Sequence, residues 1–472
     1  MTATISDQSY SLRSPTGSML NLRLEQSRRH VEANRESTVF VEVEISPDQS
    51  TQIAQKNHHI CLVIDCSGSM EDDMKIEQAK NAAIKLVRGL PSTDTVSIVA
   101  FDDNVHVILD PKPASERQYI ENMIHSITTG YATAMHAGIS KGFDLVQQSH
   151  SLSSSNTINR LVVITDGLAN VEPCEDEDFI QLAKEIRKSG ITTSTMGIGD
   201  DYGEQLLKSV SEFGGGSWDH IVNASDLSKV VNDQATQMQQ TIVTNPQLRI
   251  TLMDTAELLE ANASKPKVMP IDDLKTTGNV TIIGLKDIIR NEPHALHFKI
   301  KVTAGEGENI PFLTAEILEG SNVVAGPDTI EISYTNDRKL YNIENKNIFW
   351  SFLGTEATIL NGKTLEGDSD AGKRADTIMN TLESSKKLEE GTLAHDTVAH
   401  AEKIHGKISP DLTESEKKKL LHRTTVMEDT MTEKLDEAIS DLKNPKPKED
   451  DAEEPDFFKE KDKKEVDEDK EE

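Results

Sequence analysis

A chain of 472 residues is long enough for two or three domains with cores of their own. Its formal charge of −31 at pH 7 argues against nucleic acid and anionic membrane surfaces as partners. No apolar run approaches the roughly 20 residues that cross a bilayer, and Met1 to Asn21 lacks the basic, apolar, small-residue order of a secretory signal. The three cysteines, Cys61, Cys66 and Cys174, cannot form a paired framework, so free thiols in a reducing, cytoplasmic compartment are expected.

Residues 1–56 carry two segments of period two: Leu20, Leu22 and Leu24 on one face, then Val39, Val41, Val43 and Ile45 on another. Both predict half-buried antiparallel strands. From about Asn57 the pattern changes to alternating strands and helices through 240. Ile60–Ile64, Val96–Phe101, Leu161–Thr165 and Thr192–Ile198 read as buried strands, with an edge strand near Trp218–Val222. Helices are expected from the Ile76, Ala79, Ala83, Leu86, Val87 face, and at Ala114–Ile127, Thr133–Gln148, Glu177–Lys188, Gly203–Glu212 and Ser225–Gln240. Gly214 to Gly216 read as a turn. Such alternation implies a doubly wound, mostly parallel α/β sheet.

The first buried strand ends in Asp65-Cys66-Ser67-Gly68-Ser69. One carboxylate and two hydroxyls thus reach the carboxyl edge of the sheet, where ligands of open α/β sheets bind. All-oxygen donors suit a hard cation such as Mg2+, which keeps several waters. Thr133 adds a loop hydroxyl just before a helix, and Leu161–Thr165 delivers a second carboxylate, Asp166, followed by Gly167. Together these segments resemble the metal-ion-dependent adhesion site of von Willebrand factor type A (VWA) domains over about residues 57–240. The resemblance implies that Ser67, Ser69 and Thr133 ligate Mg2+, Mn2+ or Ca2+, and that Asp65 and Asp166 act largely through metal-bound water. It implies a protein partner whose Asp or Glu carboxylate completes the coordination. One departure is the threonine loop, Tyr131-Ala132-Thr133-Ala134, where the family usually has Gly-Gly-Thr-Asn; Thr128 and Thr129 are further hydroxyls nearby.

Period-two strands return over 241–335, at Leu248–Met253, Val280–Leu285, Leu296–Val302, Phe312–Leu318 and Thr329–Tyr334. We expect them to pair with the N-terminal strands in one β-sandwich, into which the α/β domain is inserted. His297, Lys299 and Lys301 alternate with apolar residues, which predicts a wet outer face. This order resembles that of prokaryotic stand-alone VWA proteins. Residues 336–443 read as helical: Asn345–Leu360 stopping at Asn361-Gly362, a loop at Gly367–Gly372, then Ala375–Glu390 and Thr392–His405. Thr413 and Glu416 form a capping box before a row that includes Met427, Met431 and Leu435. The acidic segment 444–472 is poor in apolar residues and expected to be disordered.

A hydrolase would need a base beside the metal. The nearest histidine in sequence is His136, whose ordinary reading is local packing on a helix. No G-x-x-x-x-G-K-[ST] segment occurs, which argues against ATP use. Metal-dependent protein binding without catalysis is therefore the expected function. An adaptor for a separate AAA+ ATPase is the alternative within that class, and a metal-dependent hydrolase the alternative outside it.

Overall fold

The computed structural model describes residues 19–48, 56–150, 157–166, 168–198, 203–221, 239–271, 274–382, 388–410 and 412–425. The helix expected at Ser225–Gln240 lies almost wholly outside these residues, as do Met427, Met431, Leu435 and the acidic segment 444–472.

Three strands come first: β1 (Leu20–Gln26), β2 (His30–Glu32) and β3 (Ser37–Pro47). An α/β unit follows, with β4 (Asn57–Asp65), α1 (Lys75–Gly89), β5 (Thr95–Phe101), β6 (Val105–Pro113), α2 (Arg117–His125) and α3 (Met135–His150). It continues through β7 (Thr157–Thr165), α4 (Asp176–Lys188), β8 (Ile191–Ile198), α5 (Glu204–Phe213) and β9 (Gly215–Ile221). Its sheet runs β6-β5-β4-β7-β8-β9, parallel throughout except for β6, which is antiparallel to β5. Alternate residues of β4 serve opposite faces. Ile60, Leu62 and Ile64 pack with α1 and α2, while Cys61 and Val63 pack with α3, α4 and α5. Burial on both sides explains the unbroken apolar run. The chain leaves β4 towards β5 on one side and later adds β7 on the other, so the end of β4 is the switch point of the sheet.

Two details differ from expectation. Antiparallel β6 was not anticipated; its two prolines and half-exposed faces fit an edge strand. The Gly214–Gly216 run is less a turn than the start of β9, which begins at Gly215.

The remaining strands are β10 (Thr241–Val243), β11 (Pro246–Leu252), β12 (Ala256–Lys265), β13 (Met269–Pro270) and β14 (Lys275–Thr277). After them come β15 (Val280–Gly284), β16 (Ile288–Ile289), β17 (His294–Val302), β18 (Ile310–Glu319) and β19 (Asn322–Thr335). One sheet has the order β1-β3-β17-β12-β13 and the other β14-β15-β11-β18-β19-β2, with β10 and β16 as a separate pair. β3 runs antiparallel to β17 from Ser37 opposite Val302 to Ile45 opposite His294. Segments on both sides of the α/β unit therefore share each sheet. The core between them contains Leu22, Val41, Val43, Leu248, Phe298 and Phe312.

The outer face of β17 is not uniformly wet. His297 is 1% exposed. The helix Lys346–Leu365 covers it: Thr355 Oγ1 lies 3.2 Å from His297 Nδ1, and Phe352 packs 4.8 Å from Phe40 between ring centroids. Lys299 and Lys301 stay half-exposed beside Glu260 and Glu257. This helix also runs through Asn361-Gly362 rather than stopping there. A Cβ at Gly362 would lie 3.1 Å from Thr424 Oγ1, so glycine lets the helix Glu414–Thr425 approach closely. The loop expected at Gly367–Gly372 is shorter, because Asp368 caps a helix, Ser369–Leu382, through the amides of Asp370 and Ala371. Thr392 caps the helix Leu393–His405, and Thr413 with Glu416 forms the reciprocal box.

His59, buried in β4, lies 3.0 Å from Ser97 Oγ through Nε2, and burial lowers its pKa to about 4. In the unfolded chain it titrates near the ordinary value of about 6.5. Below that value the unfolded state takes up the proton and the folded state does not. Stability should therefore fall as pH drops from about 6.5 towards 4 and level off below. Urea midpoints across this range should show a shallower fall for His59→Gln; identical pH profiles would remove His59 from the account.

Candidate metal centre

Asp65 is the last residue of β4 and is fully buried. Its Oδ1 accepts from the Ser67 amide at 2.8 Å and its Oδ2 from Thr165 Oγ1 at 2.5 Å. These bonds bend the chain back over the strand end and bring Ser67 Oγ to 3.2 Å from Ser69 Oγ. Ser69 Oγ donates to Asp166 Oδ1 at 2.8 Å, just beyond the end of β7. Two carboxylates and two hydroxyls, with the Ser67 amide as the link to Asp65, thus form one hydrogen-bonded chain at the switch point. Burial pushes the Asp65 carboxyl up to about 6, and the charge of Asp166 adds to the rise, while hydrogen bonds from Thr165 and Ser67 oppose it.

The threonine loop is strapped onto this chain. The Gly130 amide donates to Cys66 O at 2.7 Å, and the Gly68 amide to Tyr131 O at 3.2 Å. Glycine is needed at 130, since a Cβ there would lie 2.2 Å from Asp102 Oδ2. Thr133 is buried at the loop end, its amide donating to Asn170 Oδ1 at 2.8 Å. Thr129 Oγ1 donates to Glu71 instead, and Thr128 is exposed. His136 packs edge-on against Phe179 at 5.3 Å, and burial lowers its pKa. That is the local packing its place on a helix suggests.

Sequence reasoning missed Lys75. Its Nζ donates to Asp166 Oδ2 at 2.7 Å, with the carboxylate fully buried. The signal was readable: a lysine opening a helix runs against the helix dipole, so another partner must favour it. Among the described residues no group of three or more His, Cys, Asp or Glu side chains could hold a metal. The donors here are mostly hydroxyls, which fits a hard cation that retains water rather than one caged by protein. The Lys75 ammonium shows that this cluster of buried oxygens already draws positive charge.

A doubly wound sheet with oxygen-bearing loops at its switch point defines a class of ligand-binding α/β modules. Residues 59–237 match the family model of the von Willebrand factor type A domain, and the chain carries a VWA domain. VWA domains commonly mediate protein–protein interactions. Uncharacterized protein YfbK of Escherichia coli is 28% identical over 193 residues, which are 41% of this chain and 33% of that protein. This chain therefore spans about a third of that relative. A von Willebrand factor type A structure from Catenulispora acidiphila superposes with a TM-score of 0.69 at 16% identity, over 89% of this chain and all of that one. The ArnB paralog VWA2 from Sulfolobus acidocaldarius gives 0.58 at 17% identity, over 86% and 97%. Both likenesses extend well past the VWA domain, so the flanking fold is shared as well. No helix among the described residues is long and apolar enough to cross a membrane.

Proposed function

We propose that this protein is a divalent-cation-dependent protein-binding module. Asp65, Ser67, Ser69, Thr133 and Asp166 would hold Mg2+, or Mn2+ or Ca2+ in its place. The bound cation would offer a coordination position to an Asp or Glu carboxylate of the partner. The observation that carries this reading is the hydrogen-bonded chain from Asp65 through Ser67 and Ser69 to Asp166 at the switch point. This chain's residues do the rest. Thr165 and the Ser67 amide orient Asp65, and the strapped loop fixes Thr133. Lys75 neutralises Asp166, the carboxylate that the cation would share. Three cysteines outside any disulfide support a cytoplasmic setting. An AAA+ ATPase is one partner this role would accommodate, and magnesium-dependent capture of a defined partner would identify it.

The test is a pair of thermal melts in EDTA and in Mg2+. At a free Mg2+ concentration about 100 times its dissociation constant, the native state should gain about 2.7 kcal/mol. Asp65→Ala and Ser67→Ala should abolish the gain. Identical wild-type melts in both conditions, with no heat of Mg2+ binding, would overturn the reading.

A further inference from the structure

A cavity of about 720 Å³ opens between the VWA domain, the sandwich and the C-terminal helices, away from the metal centre. Its size is that of a site for a small organic molecule. Lys184, Lys188 and Lys208 line it from α4 and α5, and Lys267, Lys275 and Lys286 from the sandwich. In all, nine lysine and arginine side chains face two glutamates, Glu212 and Glu366. On a chain with a net charge of −31, this is a concentration of the opposite sign.

Some of these charges have partners. Lys208 lies 3.9 Å from Glu366, and Lys265 lies 3.5 Å from Asp396. Lys267 and Lys286 are different: both line the cavity, the charge of Lys267 bears on Lys286, and no ion pair joins either to a carboxylate among the described residues. Burial, and then the charge of Lys267, hold the Lys286 amine well below the usual lysine range, with Glu212 and Glu292 opposing from further off. His294 lines the same cavity at 2% exposure, and its Nε2 has no hydrogen-bond partner. Keeping both amines charged beside an orphan ring nitrogen is costly unless something of opposite charge enters, and such a ligand would favour the protonated form of Lys286. A single carboxylate would answer only one ammonium. A phosphoryl group offers three strong acceptor oxygens and a charge near −2, enough for both. Val268, Ile283, Leu285 and Leu421 add apolar surface to the same lining.

We propose that this cavity binds a small organic phosphate, with Lys267 and Lys286 on its phosphoryl oxygens and the apolar surface against its organic part. The test is calorimetric titration of the full chain with inorganic pyrophosphate, ATP and citrate, in EDTA and at constant ionic strength. EDTA keeps divalent cations, and with them the metal centre, out of the measurement. Both phosphates should bind saturably and raise the melting temperature, with ATP the tighter. Lys286→Gln and Lys267→Gln should each weaken them about tenfold or more. Without ligand, neither variant should melt lower than wild type, because each relieves the cost of keeping both amines charged. Should Lys286→Gln fail to fold, Lys267→Gln carries the test alone. No saturable binding of either phosphate, or undiminished affinity in the lysine variants, would overturn the site. Citrate binding as tightly as pyrophosphate would overturn the phosphate assignment, and ATP no tighter than pyrophosphate would overturn the role of the apolar surface.

Discussion

Replacing Asp287 with alanine should cost the protein about 3–5 kcal/mol of folding stability. Asp287 follows β15 in the sandwich, and its Oδ2 accepts from Arg160 Nη2 at 2.9 Å, across the boundary to β7 of the VWA sheet. The two side chains are 7% and 6% exposed. The same carboxylate accepts from the Asn245 amide at 2.8 Å, and the same guanidinium donates to Thr241 Oγ1 at 3.1 Å. Removing Asp287 leaves a buried guanidinium with one weak neutral acceptor, which is why the single change should be severe. Changing both residues to apolar ones of similar size should cost much less, because no charge is then stranded. A double-mutant cycle read by urea unfolding decides this. A loss under about 1 kcal/mol for Asp287→Ala would show that water reaches Arg160 and the pair holds nothing.

Phe298→Ala should be comparably damaging, at about 3–5 kcal/mol. Phe298 is fully buried at the centre of the sandwich and stands opposite Val41 in the β3–β17 ladder. Its ring fills space between two sheets that close only when segments before and after the VWA domain come together. Val41, its partner across the ladder, is β-branched and stiff and does not swing in to fill the cavity left by truncation. Chemical denaturation followed by circular dichroism would measure it. A change within about 1 kcal/mol would mean the sandwich core repacks freely there.

What could be read from the residues tracks how evenly each segment is buried. β4 and β7 lie between two helical layers, so their apolar runs announce themselves, and the loops at their ends carry the Asp65 and Asp166 constellation. β12 was missed for the opposite reason. Its sequence, AELLEANASK, is rich in helix formers, and bulges near Leu258–Glu260 and Ala263–Lys265 break any period-two pattern. Pairing with β17 overrides its local preference. The buried side of His297 was not legible either, because Thr355, on the helix that covers it, lies 58 residues further on in the chain. At the metal centre the oxygen donors were legible; the place of Lys75 at a helix start hinted at a partner, but that the partner is Asp166, 91 residues on, is a contact no spacing rule encodes.

The interleaving of β3 with β17 also fixes a timetable for synthesis. Val41 and Phe298 are register partners, so β3 leaves the ribosome about 250 residues before its neighbour, a wait of about 10–50 s at about 5–20 residues per second. Over that interval Val39, Val41, Val43 and Ile45 have β1 on one side and nothing on the other. An unpaired apolar edge of that kind is a template for pairing with other chains. The intervening α/β unit has all of its own strands available much earlier, so it can be complete while the sandwich that flanks it is still half made. The nascent chain, rather than the finished protein, is therefore the stage at which this topology most needs protection, and the need ends once β17 has emerged.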